Sequence, residues 1–532
     1  MSTQWTKAQW RAITSRNKNL LVAAGAGAGK TAVLVERIIQ RLTHPTDPLD
    51  VDQLLVVTFT NAAAAEMRER IGAAIAEALA KDPEDARLSR QLALLGRANI
   101  ATLHSFCLDL LRQHFYRLEL DPAFRVADVT EIELLRADVL EQLFEEKYQA
   151  GDEAFVQLVD AYGGSHDDSK LQEIILQLDD YAASHPDPVG WLTMLPQELS
   201  DADNWSAWLG ELASMAQEQL LQARAALQTA FTIAAGPEGP AHYLELLESE
   251  LQQVDLALDS ASAATWDMLR ERVQNITFDR LPSKRGGNKK VREQAKEARD
   301  AAKDIIKNLT GRLLAQSQAD LLAGLELITP SMSLLCQLTL EFQERYSHAK
   351  QLKGLVDFND LEHMALRILS DGDEPSPVAQ ELRQRYAEVL VDEYQDINGV
   401  QEAILQRLTG GKEAGNTLFM VGDVKQSIYR FRLADPTLFL KKYNDYGAHP
   451  EHGERIDLAH NFRSRASVLD AVNFLFRQLM TPQVGELVYD EAAELKAGAA
   501  YAPDQHALTP QAEVRLLDRA TAGAAADEEE DA

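Results

Sequence analysis

The stretch VAAGAGAGKTAVL, residues 22–34, restricts the fold of this chain more than any other. Leu20 to Ala23 is a short apolar run that reads as a buried strand, a loop of nothing but Gly and Ala follows, and a helix-forming run starts at Lys30 and Thr31. Glycines let the backbone fold tightly enough for its N–H groups and the helix N-terminus to face an anion, and the natural anion is a phosphate. The spacing matches a phosphate loop, with Ala24 where the strict pattern has Gly, then Gly25, Ala26, Gly27, Ala28 and Gly29. In that pattern Lys30 reaches the β- and γ-phosphates and Thr31 holds Mg²⁺. The alternative at this point is a Gly-rich strand-to-helix turn that binds nothing.

Such a loop belongs to an α/β fold with a parallel sheet, and the chain repeats the signal. LLVVTF (54–59), ANIAT (98–102), VLV (389–391) and LFMV (418–421) are apolar, strand-like runs, each followed by a polar turn or a helical segment. Helices are expected to about Leu42, from Ala62 to about Leu79, and from about Phe106 to Tyr116. Thr6 with Gln9 has the spacing of a capping box for an N-terminal helix. Between about Leu118 and Arg345 long amphipathic patterns replace the strands, as in TEIELLRADVLEQLFEEKY opened by Thr130 and Glu133, so a helical domain is read as inserted into the α/β one.

Composition narrows the class. Lys and Arg number 53 against 83 Asp and Glu, a net charge of −30, which argues against a protein that coats nucleic acid but leaves room for a locally basic groove. From Leu281 to Arg312 ten basic residues face four acidic ones, whereas the chain closes on the acidic run DEEEDA, expected to be a disordered tail. No membrane span is expected, nor a secretory leader in MSTQWTKAQW, and the expected location is the cytoplasm. Cys107 and Cys336 are too few and too far apart for a disulfide framework or a metal cluster.

Two further stretches carry chemistry. Asp392 and Glu393 close a predicted strand in LVDEYQD; there Asp392 can hold Mg²⁺ and Glu393 can orient or deprotonate an attacking water. In GDVKQSIYRFR, Gln426 can contact a γ-phosphate or that water. Tyr429 and Phe431 alternate with Arg430 and Arg432, which suits stacking on single-stranded bases; the plainer reading is two core aromatics flanked by solvated arginines.

Taken in order, WTKAQWRAI, VAAGAGAGKT, VVTFTNAAAAEM, ATLHSFC, VLVDEYQD, VGDVKQSIYRFR and LAHNFRS resemble the motif series of UvrD/Rep-type superfamily 1 DNA helicases. YRFRLADPTLF, VDFNDLEHMAL and RLPSKRGGNKK are similar to the AddA branch, the helicase–nuclease subunits. The resemblance implies that Gln9 reads adenine, that Phe462 lies against it, and that Arg463 reaches the γ-phosphate of ATP. It also implies that Thr58, Phe59, Thr60, Asn61, Thr102 and His104 line a DNA path together with Tyr429 and Phe431. The implied function is ATP- and Mg²⁺-dependent 3′ to 5′ stepping on single-stranded DNA and unwinding of duplex DNA in double-strand-break repair. The implied partner is a second, AddB-like protein in a heterodimer, with no membrane involved.

The implied layout is a RecA-like domain 1A in two parts (1–117 and 346–445), a helical insertion 1B (118–345), the start of domain 2A (446–518) and the acidic tail (519–532). Motifs V and VI and a nuclease domain find no match in these 532 residues. The expectation is therefore an N-terminal portion that binds ATP, turns it over weakly by itself and has no nuclease activity. A noncatalytic ATP- and DNA-binding module completed by a partner is the second reading.

Overall fold

The computed structural model describes residues 5–118, 120–164, 167–261, 265–283, 286–410, 415–485, 487–499, 501 and 513. The expected tail and two of the basic residues, Lys284 and Arg285, lie outside them. The chain divides into two compact units, Met1–Arg136 with Ala183–Pro186 and Ser347–Ala532, and Ala137–Ala182 with Asp187–Tyr346. Residues 118–136, grouped by sequence with the helical insertion, belong to the first unit. Arg125 and Val126 pair there in parallel with Leu355 and Val356, a contact too short to leave a strand pattern.

The first unit is built on a six-stranded parallel sheet. Its strands are β1 (Leu20–Ala24), β2 (Leu54–Thr58), β3 (Asn99–Thr102), β4 (Glu388–Val391), β5 (Thr417–Gly422) and β6 (Glu454–Leu458), in the spatial order β6-β1-β5-β4-β2-β3. Strand residues alternate between two apolar layers, as a sheet covered on both faces requires. Leu21, Leu55, Val57, Val389, Val391 and Met420 enter one core, while Leu20, Val22, Leu54, Val56, Leu390 and Phe419 enter the other. The helices that matter for the site are α1 (Lys7–Thr14), α2 (Lys30–Leu42), α3 (Asn61–Lys81), α4 (Leu103–His114) and α5 (Phe358–Leu369). The capping box of α1 is present, with Thr6 and Gln9 each bonding the other's backbone.

One buried ion pair ties α2 to the sheet. Arg37 donates through Nε to Glu388 at 2.7 Å and through Nη1 to the Ala12 carbonyl at 2.7 Å, and it lies over the Phe419 ring. Both side chains are almost fully buried. Replacing Glu388 by Leu leaves the Arg37 charge buried with no carboxylate, so we expect a loss of about 3–5 kcal/mol in urea unfolding of this unit; unchanged stability would contradict it.

The second unit is helical. Ala216, Leu220, Ala223, Leu227, Ala230 and Ala234 form the buried stripe of the helix Ala202–Ala235, and they share one core with Ala302 and Ile306 of the helix Lys289–Asn308. Arg299 of that helix is spent on a buried ion pair with Glu250, so it is not part of the basic face that its sequence neighbours suggest. Lys289, Lys296 and Lys303 are exposed at seven-residue intervals.

Elsewhere along the chain, two sequence expectations change. Asp128, rather than Thr130, caps the helix Val129–Ala150, through the Glu131 N–H at 2.9 Å. The expectation of no membrane-length apolar segment is also corrected. The helix Gln318–Leu352 holds an 18-residue window of mean hydropathy 1.4 with 11% of it buried, enough to cross a membrane by length and composition alone. Gly, Thr, Ser and Pro interrupt its leucines, so no continuous apolar run betrays it.

Candidate nucleotide and nucleic-acid site

The loop from Ala24 to Gly29 joins β1 to α2 and is held from outside by its carbonyls. Gln9 Nε2 donates to Ala28 O at 3.0 Å, Asn461 Nδ2 to Ala26 O at 2.6 Å, and the Phe462 N–H to Gly27 O at 2.9 Å. Gly27 and Gly29 have φ of 69° and 81°, the left-handed region that favours glycine. Gly29 is the N-cap of α2 and has no side chain to cap it, so the first N–H groups of the helix are left to a ligand. Gly25 makes a close approach too, because a Cβ there would meet the Leu495 side chain at 2.7 Å.

Lys30 opens α2, and its Nζ donates to Glu393 Oε2 at 2.6 Å. Thr31 is the next residue on the helix and is half-buried. Glu393 has a φ of 51°, a strained value for a residue with a side chain, and it follows Asp392 directly after β4. Burial, then the charge of Glu393, pushes the Asp392 carboxyl up to about 6 against the pull of Lys30. The same two causes, in the same order, raise Asp396 to about 6. Burial and the charge of Glu393 thus disfavour ionisation of these carboxyls, a penalty that a bound divalent cation would relieve. Among the described residues no group of three or more His, Cys, Asp or Glu side chains has metal-holding geometry. A Mg²⁺ held by Thr31, Asp392, phosphates and water needs no such group.

A chain of amides leads away from Glu393. Gln395, buried, donates to Glu393 Oε2 at 2.9 Å and to Asp396 Oδ2 at 3.1 Å, and its carbonyl accepts the Asp423 N–H at the end of β5, at 2.9 Å. Asp423 in turn accepts from Gln426 Nε2 at 2.6 Å. Gln426 therefore joins the carboxylates through two intermediates rather than directly.

Beyond these carboxylates a single cavity of about 630 Å³ opens, lined by Asp392, Glu393 and Asp396 and also by Thr58, Phe59, Thr60, Asn61, Thr102, His104, Tyr429 and Arg432. The Phe59 and Tyr429 rings lie 4.5 Å apart and Phe431 is 5.8 Å from Tyr429, giving a row of three aromatics. The Arg432 guanidinium lies over Tyr429 and Phe431, 5.4 and 5.7 Å from their centroids. Phe431 is largely exposed and extends the row outside the cavity. Thr60 and Thr102 are N-caps of α3 and α4, accepting from Ala63 and Ser105, and Thr58 donates to Thr60 O at 3.0 Å. Two helix N-termini therefore begin at the cavity wall, with Asn61 the first residue of α3.

His104 is fixed by a residue that sequence reasoning did not select. Its Nε2 lies 3.0 Å from Glu362 on α5, and its ring stands edge-on to Phe358 at 5.2 Å. Burial alone raises the Glu362 carboxyl, but His104 together with Gln401 and Asn398 outweighs it and holds it below the ordinary range. Glu362, Gln395 and Asn461 all occur inside the segments DFNDLEH, DEYQD and HNFRS; an internal glutamate or amide there gives no sequence signal of its pairing. Both ends of the Gln9 amide are engaged, Oε1 by the Thr6 N–H at 2.9 Å and Nε2 by Ala28, so in this structure it braces the loop. Phe462 is partly exposed beside Gly498, and Arg463 follows it with its Cβ against Gly27.

Residues 5–447 match the family described as UvrD/REP helicase N-terminal domain. The chain is also similar to proteins named as the A-type subunits of an ATP-dependent helicase/nuclease. That of Desulforamulus reducens is 49% identical, over 97% of this chain and 42% of the relative. For Pelotomaculum thermopropionicum the figures are 48%, 98% and 42%, and for Geobacillus kaustophilus 47%, 99% and 43%. The chain thus spans about two-fifths of the length of these curated relatives.

Proposed function

Because this chain belongs to the UvrD/REP helicase N-terminal domain family, we propose that it binds ATP with Mg²⁺ at the 24–31 loop and single-stranded DNA along the aromatic row, and that it couples the two. The observation that carries this reading is the continuity of one cavity from Asp392 and Glu393 to Phe59, Tyr429 and Arg432. On this reading the activity served is that of an ATP-dependent 3′ to 5′ DNA helicase of the AddA helicase–nuclease type, acting in double-strand-break repair and recombination with a second, AddB-like protein. The relatives' name, which joins an ATP-dependent helicase to a nuclease, supports that assignment.

Thr31 and Asp392 would hold Mg²⁺, which together with ATP supplies the bond to be cleaved and the charge that screens its phosphates. Lys30 leaves Glu393 to bind the β- and γ-phosphates, and Glu393, released, takes the proton of the attacking water. Arg463 stabilises the γ-phosphate from the far side of the loop, and Phe462 packs on adenine. Gln9 braces the loop and meets adenine only if its amide gives up Ala28 O. Bases stack on Tyr429 and Phe431, while backbone phosphates meet the N-termini of α3 and α4 and His104. The Gln395–Asp423–Gln426 chain connects Glu393 to the segment that carries Tyr429, so occupancy of the row by DNA is felt at the base. Lys289, Lys296 and Lys303 of the helical unit supply a salt-sensitive grip on duplex DNA.

The loop assignment is tested with Lys30→Ala. Losing a charge-assisted phosphate contact is worth about 1.5–3 kcal/mol, so Mg·ATP affinity should fall by roughly 10- to 150-fold in a fluorescent-nucleotide titration. Unaltered affinity in a folded variant would refute the assignment.

A further inference from the structure

The segment that follows β6 crosses the phosphate loop, and one buried amide organises the crossing. Asn461 is 2% exposed, yet every polar atom of its side chain is used. Nδ2 donates to Ala26 O at 2.6 Å; Oδ1 accepts the backbone N–H groups of Arg463 and Ser464, each at 2.8 Å. The opposite orientation of the amide would set its oxygen against a carbonyl and its NH₂ against two N–H groups, so this chemistry admits one orientation. The next residue adds the Phe462 N–H to Gly27 O bond, and the Tyr501 hydroxyl donates to Arg463 O at 2.6 Å. A Cβ on Gly27 would lie 2.7 Å from Asn461 Nδ2 and 2.8 Å from the Arg463 Cβ, so loop and turn are in direct contact.

We infer that Asn461 is a positioning residue for Arg463: its carbonyl fixes the turn that starts the arginine, and its NH₂ locks that turn to the phosphate loop, so that the guanidinium is set for the terminal phosphate of a nucleoside triphosphate. This rests on the reading of the loop as an ATP site and of Arg463 as its γ-phosphate arginine. The two halves of the amide have separable jobs. Alanine removes both. Aspartate keeps the acceptor for Arg463 and Ser464 but sets a carboxylate against Ala26 O and adds negative charge beside the bound phosphates.

The test is titration of the 532-residue chain, with Mg²⁺, by a fluorescent nonhydrolysable ATP analogue and by fluorescent ADP. Arg463→Ala should weaken the ATP analogue by about tenfold and leave ADP within roughly twofold, because a charge-assisted contact to the γ-phosphate is absent from ADP. Asn461→Ala should reproduce that loss of preference, and the double variant should be no worse than Arg463→Ala alone. Asn461→Asp should weaken both nucleotides. A folded Asn461→Ala chain that keeps its ATP-over-ADP preference, or a double variant whose losses multiply, overturns the inference. If Asn461→Ala does not fold, the near-isosteric Asn461→Asp decides, and nucleotide binding unchanged in it overturns the inference equally. Lys30→Ala serves as control: normal binding of both nucleotides there brings down the loop assignment itself, a failure distinct from that of Asn461.

Discussion

Replacing Glu393 by Gln is expected to lower ATP turnover by about 10²- to 10⁴-fold, the range for loss of a general base, while nucleotide binding changes by no more than roughly twofold. The separation follows from the geometry. Glu393 is presented by a strained backbone (φ 51°) directly after β4, faces Lys30 at 2.6 Å, and is steadied by Gln395 at 2.9 Å. A glutamine keeps the size and can still accept from Lys30, so the loop and the fold persist, but it cannot accept a proton. Steady-state hydrolysis together with a binding titration checks this. Equal losses in binding and turnover would make Glu393 a structural partner of Lys30, and unchanged turnover would remove it from the chemistry.

The second large effect is expected on the DNA side. Each base–aromatic stack is worth about 1–3 kcal/mol, so Tyr429→Ala with Phe431→Ala should weaken single-stranded DNA binding by up to about 2–6 kcal/mol, roughly 30-fold to 10⁴-fold. The shared contact between the rings makes the upper figure a limit, because neighbours do not add fully. Stacking reads no sequence and neutralises no phosphate. The loss should therefore be similar across base compositions and leave the salt slope unchanged, whereas removal of a phosphate-binding cation such as an exposed lysine reduces that slope. Fluorescence anisotropy at several salt concentrations distinguishes the two, and wild-type affinity in the double variant would contradict a role for the row.

The parts of this arrangement that were legible in sequence are those carried by local pattern. An apolar strand, a run of Gly and Ala and a Lys-Thr helix start can be read from a dozen consecutive residues, and β2, β4 and β5 announce themselves as continuous apolar runs because both of their faces are buried. β6 gives no such signal: as an edge strand it alternates buried Glu454, Ile456 and Leu458 with half-exposed Arg455 and Asp457, and a five-residue segment with three charges reads as loop. Its buried Glu454 is intelligible only once Arg11 and Lys18, more than 400 residues earlier, are seen to pair with it.

The site shows the same division. Lys30, Asp392 and Glu393 lie in recognisable segments, but Glu362 gains meaning only through His104, and Asn461 only through Ala26. The hydroxyls of Thr60 and Thr102 are committed to helix caps, so the cavity wall there is formed by helix N-termini, a property of the fold that no residue type displays by itself.

One cavity runs from Asp392 and Glu393, the carboxylates beside Lys30, to the aromatic row, and ATP hydrolysis by the 532-residue chain, with and without saturating single-stranded DNA, tests whether its two ends are coupled. Slow basal hydrolysis is expected to rise on adding DNA, to be lost in Lys30→Ala, and to lose its DNA response in the Tyr429→Ala/Phe431→Ala variant while the basal rate remains. Hydrolysis indifferent to DNA, or persisting in Lys30→Ala, would contradict that coupling.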